Sequence, residues 1–93
     1  MSGVESFYVE FGQRLGEARE RAGLTQGALA RRVGLSRTSV VNIEKGRQRV
    51  LLHQLSRFSD VLSVDPSVLL PKQFPAGDED EWVERILGHT EAS

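Results

Sequence analysis

Six basic side chains, Arg31, Arg32, Arg37, Lys45, Arg47 and Arg49, crowd into residues 25–49, where Glu44 is the sole acid. Among them stand Gln26, Thr38, Ser39, Asn42 and Gln48, uncharged groups that donate and accept hydrogen bonds. This set is suited to gripping a large anionic surface, not to making or breaking bonds. The formal net charge of −1 hides the pattern. Residues 1–72 carry eleven Lys and Arg against seven Asp and Glu, whereas residues 73–93 carry one against six. The split describes an anion-binding body with an acidic tail.

Other chemistries lack their parts. There is no cysteine, so disulfides, thiolate metal sites and a cysteine nucleophile are excluded. His53 and His89 are the two histidines, and neither has partners at metal-ligand spacing. His53 reads as a surface residue at a helix start and His89 as tail. The run Asp78, Glu79, Asp80, Glu81 lacks the alternating ligands and central glycine of a calcium loop. With no paired carboxylates on a predictable cleft and no phosphate loop, no catalytic residue, metal or cofactor is expected, and the chain is read as a non-enzyme. Its 93 residues suffice for one core. No targeting segment and no apolar run near the ~20 residues of a membrane span is seen. A soluble, cytoplasmic protein without membrane contact is therefore expected.

The elements that must carry these side chains are helices. Phe7, Phe11, Leu15, Ala18 and Ala22 recur at helical spacing, with Ser6 as cap, Glu10–Arg14 and Glu17–Arg21 as i, i+4 pairs and Gly23 as terminator. Gly12 and Gly16 each cost about 1 kcal/mol inside such a helix, which close packing of another element would explain. Thr25 caps a second helix running through Val33 to Gly34, with Leu24, Leu29 and Val33 inward. Ser36 caps a third, over 37–45, stopped by Gly46. Only Gly34 and Leu35 separate the second and third helices, so the two meet at a sharp angle. Leu52, Leu55, Phe58, Val61 and Leu62 mark a fourth helix. A fifth opens with Asp65 and Pro66, carries Val68, Leu69 and Leu70, and closes at Pro71. The fold class is all-α.

The segment 25–46, TQGALARRVGLSRTSVVNIEKG, resembles the helix-turn-helix of the phage-repressor/Cro type, the XRE family, and the likeness extends over about residues 14–70. It combines small Ala30 where two helices cross, Gly34 in the turn, and Leu24, Leu35, Val40 and Ile43 as the apolar residues that set the angle between helices. The resemblance implies a five-helix, lambda-repressor-like domain whose third helix enters the major groove of DNA. Arg37, Thr38, Val41 and Asn42 are then the base contacts. Arginine suits guanine, asparagine suits adenine, and Val41 suits a thymine methyl. Gln26, Ser39, Lys45, Arg47, Gln48 and Arg49 are the implied phosphate contacts. The family also implies a structural ion pair between Arg19 and Glu44. Gly27 departs from the pattern, which usually has a better helix former there and so implies a softer start to the second helix. Arg31 and Arg32 serve equally well as solubilising groups.

Domain organisation is read as a helix-turn-helix domain over 1–72 and an acidic extension over 73–93. Gln73 to Gly77 (QFPAG) reads as a linker. Beyond it the acidic run suits a helix N-terminus, and Trp82, Val83, Ile86 and Leu87 form an apolar stripe that allows a sixth short helix over 78–87. The leading expectation is a transcription regulator, a repressor by resemblance, that binds double-stranded DNA as a homodimer. The alternative is an antitoxin-like or adaptor module that binds a protein partner, a toxin or metallopeptidase by resemblance, through Trp82, Val83, Ile86 and Leu87.

Overall fold

The computed structural model describes residues 3–72 and holds five helices in a single packed unit: α1 (Gly3–Arg21), α2 (Gln26–Val33), α3 (Arg37–Glu44), α4 (Leu52–Leu62) and α5 (Pro66–Leu69). No strand occurs among the described residues, and the all-α, five-helix expectation holds. The tail stripe Trp82, Val83, Ile86, Leu87, the helix expected over 78–87 and the extension 73–93 lie outside the described residues.

Side-chain caps start α2, α3 and α5. Thr25 Oγ1 accepts the Ala28 N–H at 3.0 Å, and Ser36 Oγ accepts the Ser39 N–H at 3.0 Å. Asp65 accepts the Ser67 N–H, which holds its carboxyl below the ordinary aspartate value. Between α2 and α3 the chain turns through Gly34 at φ 77°, a left-handed conformation that costs other residues steric strain. There the Leu35 N–H returns to the Ala30 carbonyl at 2.9 Å, closing α2 before Ser36 opens α3.

The core gathers one stripe from each helix: Phe11, Leu15 and Ala18 from α1, Leu29, Ala30 and Val33 from α2, Val40 and Ile43 from α3, Phe58 and Leu62 from α4, and Leu69 from α5. Helix α3 packs between α1 and α2, while α4 braces α2 and α5. Burying each of the leucine, isoleucine, valine and phenylalanine side chains contributes about 1.5–3 kcal/mol. The third helix is therefore held from behind on two sides.

Several local expectations need correction. Helix α1 begins at Gly3, three residues before Ser6, so Ser6 lies inside the first helix and does not cap it. Ala22 lies one residue beyond the end of α1 and is exposed, in the turn that the left-handed Gly23 at φ 72° completes. Helix α3 ends at Glu44 and Lys45 is its cap. Leu52 is 83% exposed and Val68 40% exposed; neither joins the core, because each sits near its helix start and points off the packed side. The i, i+4 pairs Glu10–Arg14 and Glu17–Arg21 form at 3.1 and 3.5 Å on the exposed face of α1.

The two glycines within α1 have different neighbours. A Cβ on Gly12 would stand 2.5 Å from the Glu44 carbonyl oxygen and closer still to that of Ile43, so only glycine lets α1 touch the backbone end of α3. A Cβ on Gly16 would meet the Glu44 carboxylate at 3.4 Å. Gly46, at φ 75°, is pressed against Val9 in the same seam.

Candidate nucleic-acid interface

The surface of α3 follows from its two buried residues. Val40 and Ile43, 0% and 1% exposed, fix which side of the helix faces inward. Arg37, Thr38 and Lys45 are then exposed, while Ser39, Val41 and Asn42 are half-buried. Ser39 is tied back to the cap: its N–H is held by Ser36 Oγ, and the two hydroxyls lie 3.1 Å apart. Beyond α3 the chain turns at Gly46, and Arg47 and Arg49 emerge exposed with Gln48 half-buried between them.

Glu44, the lone acid of this stretch, does not face solvent. Its side chain is 10% exposed and that of Arg19 12%. Arg19 Nε donates to Glu44 Oε2 at 2.6 Å and Arg19 Nη2 to Oε1 at 3.0 Å, a two-point ion pair of the planar kind. A third guanidinium N–H, on Nη1, reaches the Leu24 carbonyl at 2.9 Å, joining the end of α1 to the loop before α2. The hydrogen bond to Glu44 raises the Arg19 guanidinium further above its already high value, against the opposing effect of burial. A raised folded-state pKa stabilises below the unfolded value and is lost only as pH climbs through the folded one, so Arg19 stays charged at any ordinary pH. The pair removes the one negative charge from an otherwise cationic surface.

Gln26 completes this network. Its Nε2 donates to Glu44 Oε1 at 3.1 Å, so the first residue of α2 is tied to the last residue of α3. A carboxamide nitrogen carries two N–H groups; the bond to Glu44 uses one of them. A spacing of 18 residues between the two gave no sequence signal for this bond.

Two further arrangements were missed by reading the residues in order. The Arg31 Nη1 and Arg37 Cδ lie 3.9 and 3.8 Å from where a Cβ on Gly27 would be, so both arginines flank the bare first turn of α2. The i, i+4 spacing of Gly27 and Arg31 could have revealed half of this. Arg49 stacks over the Tyr8 ring at 5.7 Å from its centroid, a cation–π contact between the loop after α3 and the start of α1. No local pattern links positions so far apart. Arg32 is exposed on α2 with no assigned contact.

Breaking the ion pair has a defined expected result. Arg19→Ala leaves Glu44 nearly buried with Gln26 as its remaining partner, and stability should fall by about 3 kcal/mol. In urea unfolding, the double variant Arg19→Ala with Glu44→Ala should lose clearly less than the two single losses combined. Strict additivity would mean that the pair does not act as a unit. Gly27→Ala should do the reverse. An added methyl meets only ordinary contacts at 3.8 and 3.9 Å, so the gain in helix propensity should raise stability by about 0.5–1 kcal/mol in the same measurement.

Among the described residues there is no group of three or more His, Cys, Asp or Glu side chains able to hold a metal, and no helix long and apolar enough to cross a membrane.

A model of the helix-turn-helix domain family matches residues 10–70. No curated protein matches the chain. Among solved structures, it is similar to the restriction-modification controller protein C.AhdI from Aeromonas hydrophila, at 38% identity and TM-score 0.65, with 68% of this chain and 96% of that chain covered. It is also similar to hydroxypropylphosphonic acid epoxidase from S. wedmorenis, at 30% identity and TM-score 0.68. That likeness spans 78% of this chain and only 37% of the enzyme, so the two share a helical domain and not a whole protein. The clp gene regulator ClgR from Corynebacterium glutamicum, 22% identical with a TM-score of 0.65 over 67% of this chain and 66% of that chain, has the same fold.

Proposed function

The chain belongs to the helix-turn-helix domain family of DNA-binding regulators, and from that premise we propose that it reads a specific operator by laying α3 in the major groove, two copies to a site. The observation that carries this reading is the division of α3. Its apolar side, Val40 and Ile43, is docked against α1 and α2, while Arg37, Thr38, Val41 and Asn42 are left at least partly accessible on the same short helix. Arg37 and Asn42 supply the bidentate donors and acceptors for guanine and adenine edges, Val41 an apolar contact to a thymine methyl, and Thr38 a hydroxyl.

Phosphates are held on both sides of that helix. Gln26 donates its second amide N–H from the start of α2, aimed by its bond to Glu44, and Ser39 adds a hydroxyl. Lys45, Arg47, Gln48 and Arg49 grip the strand beyond the end of α3. Arg31 joins Arg37 over the bare turn at Gly27. These contacts set register and affinity while the base contacts set sequence.

Energy favours a homodimer, because one copy reaches only the lower part of the range that specific binding needs. Each bidentate base contact discriminates by about 1–3 kcal/mol, so Arg37 and Asn42 in one copy supply about 2–6 kcal/mol. Specific regulators prefer their sites by about 4–10 kcal/mol. Two copies reach that range, and a two-fold pair reads half-sites about one helical turn apart. Residues 1–72 form the reading domain and residues 73–93 an acidic extension outside it. In this reading the chain acts by binding and not by catalysis, and what it shares with the epoxidase is 37% of that enzyme's chain.

Selection of bound duplexes from a random pool, repeated at low and moderate salt, tests the whole reading. One two-fold symmetric consensus should emerge, with affinity falling steeply as salt rises. Equal retention of all duplexes would reduce the protein to a basic surface without a reader.

A further inference from the structure

On the side of the domain where α1 begins, an apolar groove of about 200 Å³ is lined by Phe7, Tyr8, Val50, Leu52, Leu55 and Leu70. A cavity of 150 Å³ already accepts a benzene ring, so this one has room for a large aromatic side chain. Leu52, one of its walls, is 83% exposed, and the adjacent Leu51 is 60% exposed. Exposed apolar groups gathered around a groove mark an interaction site more than the same groups scattered singly.

We infer that the occupant is the chain's own segment 78–87, seated in cis through Trp82, Val83, Ile86 and Leu87. Three observations select this occupant. Leu70 is itself a wall of the groove, and Trp82 follows it by twelve residues, so the segment starts beside its site. A tether that short supplies an effective concentration in the millimolar range, far above that of a second copy or a dilute partner. The third is charge. Arg49 lies over the ring of Tyr8, a groove wall, and Asp78, Glu79, Asp80 and Glu81 immediately precede Trp82, so the docked stripe brings carboxylates to a cationic rim. A fully apolar segment would lack this second complementarity.

Docking has a consequence that rests on the DNA-binding reading above. Arg49 is one of the side chains assigned to phosphate, and carboxylates held beside it compete for it. The docked chain therefore binds DNA more weakly than the undocked one.

Trp82 is the chain's only tryptophan, so emission excited on the red edge, where Tyr8 does not absorb, reports on Trp82 alone. The expected emission is blue-shifted from that of the denatured chain, protected from acrylamide, and unchanged on dilution through the micromolar range. Leu52→Asp in the groove wall and Ile86→Ser in the segment should each move emission to the denatured position while the helical circular dichroism persists. Ile86 lies outside the described residues 3–72 and so is no part of the core that Leu52→Asp could disturb, which keeps the test valid even if Leu52→Asp unfolds. Solvent-like emission in the unaltered chain overturns the inference. So does a blue shift that vanishes on dilution, which would mean a second copy, or one that survives both substitutions, which would mean docking elsewhere. Ile86→Ser should also tighten binding to the selected duplex several-fold at low salt. Exposure of Trp82 with no change in DNA affinity would overturn the competition alone, since the fluorescence test involves no DNA.

Discussion

Arg37→Ala and Asn42→Ala should each lower affinity for the selected operator by about 5- to 150-fold for every copy bound, the cost of one bidentate base contact at about 1–3 kcal/mol. A dimer loses the contact twice, which brings the expected loss to about 2–6 kcal/mol and returns specific binding toward the non-specific level. The double variant should hold operator and random duplex nearly equally. Folding should be unaffected, because Arg37 is exposed and Asn42 half-buried, with the inward side of α3 formed by Val40 and Ile43. Competition binding against random duplex measures the loss, and thermal unfolding checks the fold. Arg47→Ala is the contrasting case. A phosphate contact carries no sequence information, so its loss should weaken every duplex alike and reduce the salt slope by about one unit per copy. If the Arg37 and Asn42 variants keep the operator preference, α3 is not the reader. If Arg47→Ala changes the consensus, the division between base and phosphate contacts is wrong.

Gly12→Ala should lose about 2–3 kcal/mol of stability, although alanine is the better helix former by about 1 kcal/mol. The reason is the nature of the neighbour. The new methyl would press on the carbonyls of Ile43 and Glu44, which are backbone atoms and cannot rotate aside as a side chain would. Accommodation requires α1 and α3 to separate, and that movement also disturbs the Arg19–Glu44 pair and Gln26, the network that orients the reading helix. For a domain of this size the expected fall in Tm is about 10–20 °C. Gly16→Ala, one turn further along the same helix, meets the Glu44 carboxylate at 3.4 Å and should be near neutral. Similar losses at both positions would show that the effect is one of helix α1 in general and not of its contact with α3.

This contrast marks what could be read in the residues in order and what could not. The caps Thr25 and Ser36, the turn at Gly34 and the inward pair Val40 and Ile43 act over three or four positions, so their physics is contained in short stretches of chain. Helix starts governed by weaker signals were less legible: α1 begins at Gly3 rather than after Ser6, and Leu52, apolar and in phase, stays out of the core. The Arg19–Glu44 pair was anticipated through family resemblance and not from its spacing. The extra bond from Gln26 had no such guide.

By itself the sequence determined five helices, their order, the sharp corner at Gly34 and which side of the third helix faces outward, because periodicity, capping and glycine conformation are local. Tertiary structure alone decided that a bare Gly12 admits the backbone of α3, that Glu44 is neutralised between Arg19 and Gln26, and that Tyr8 carries Arg49. Those contacts join residues that chain spacing does not relate, and only the packing of α1 against α3 brings them within a few ångströms.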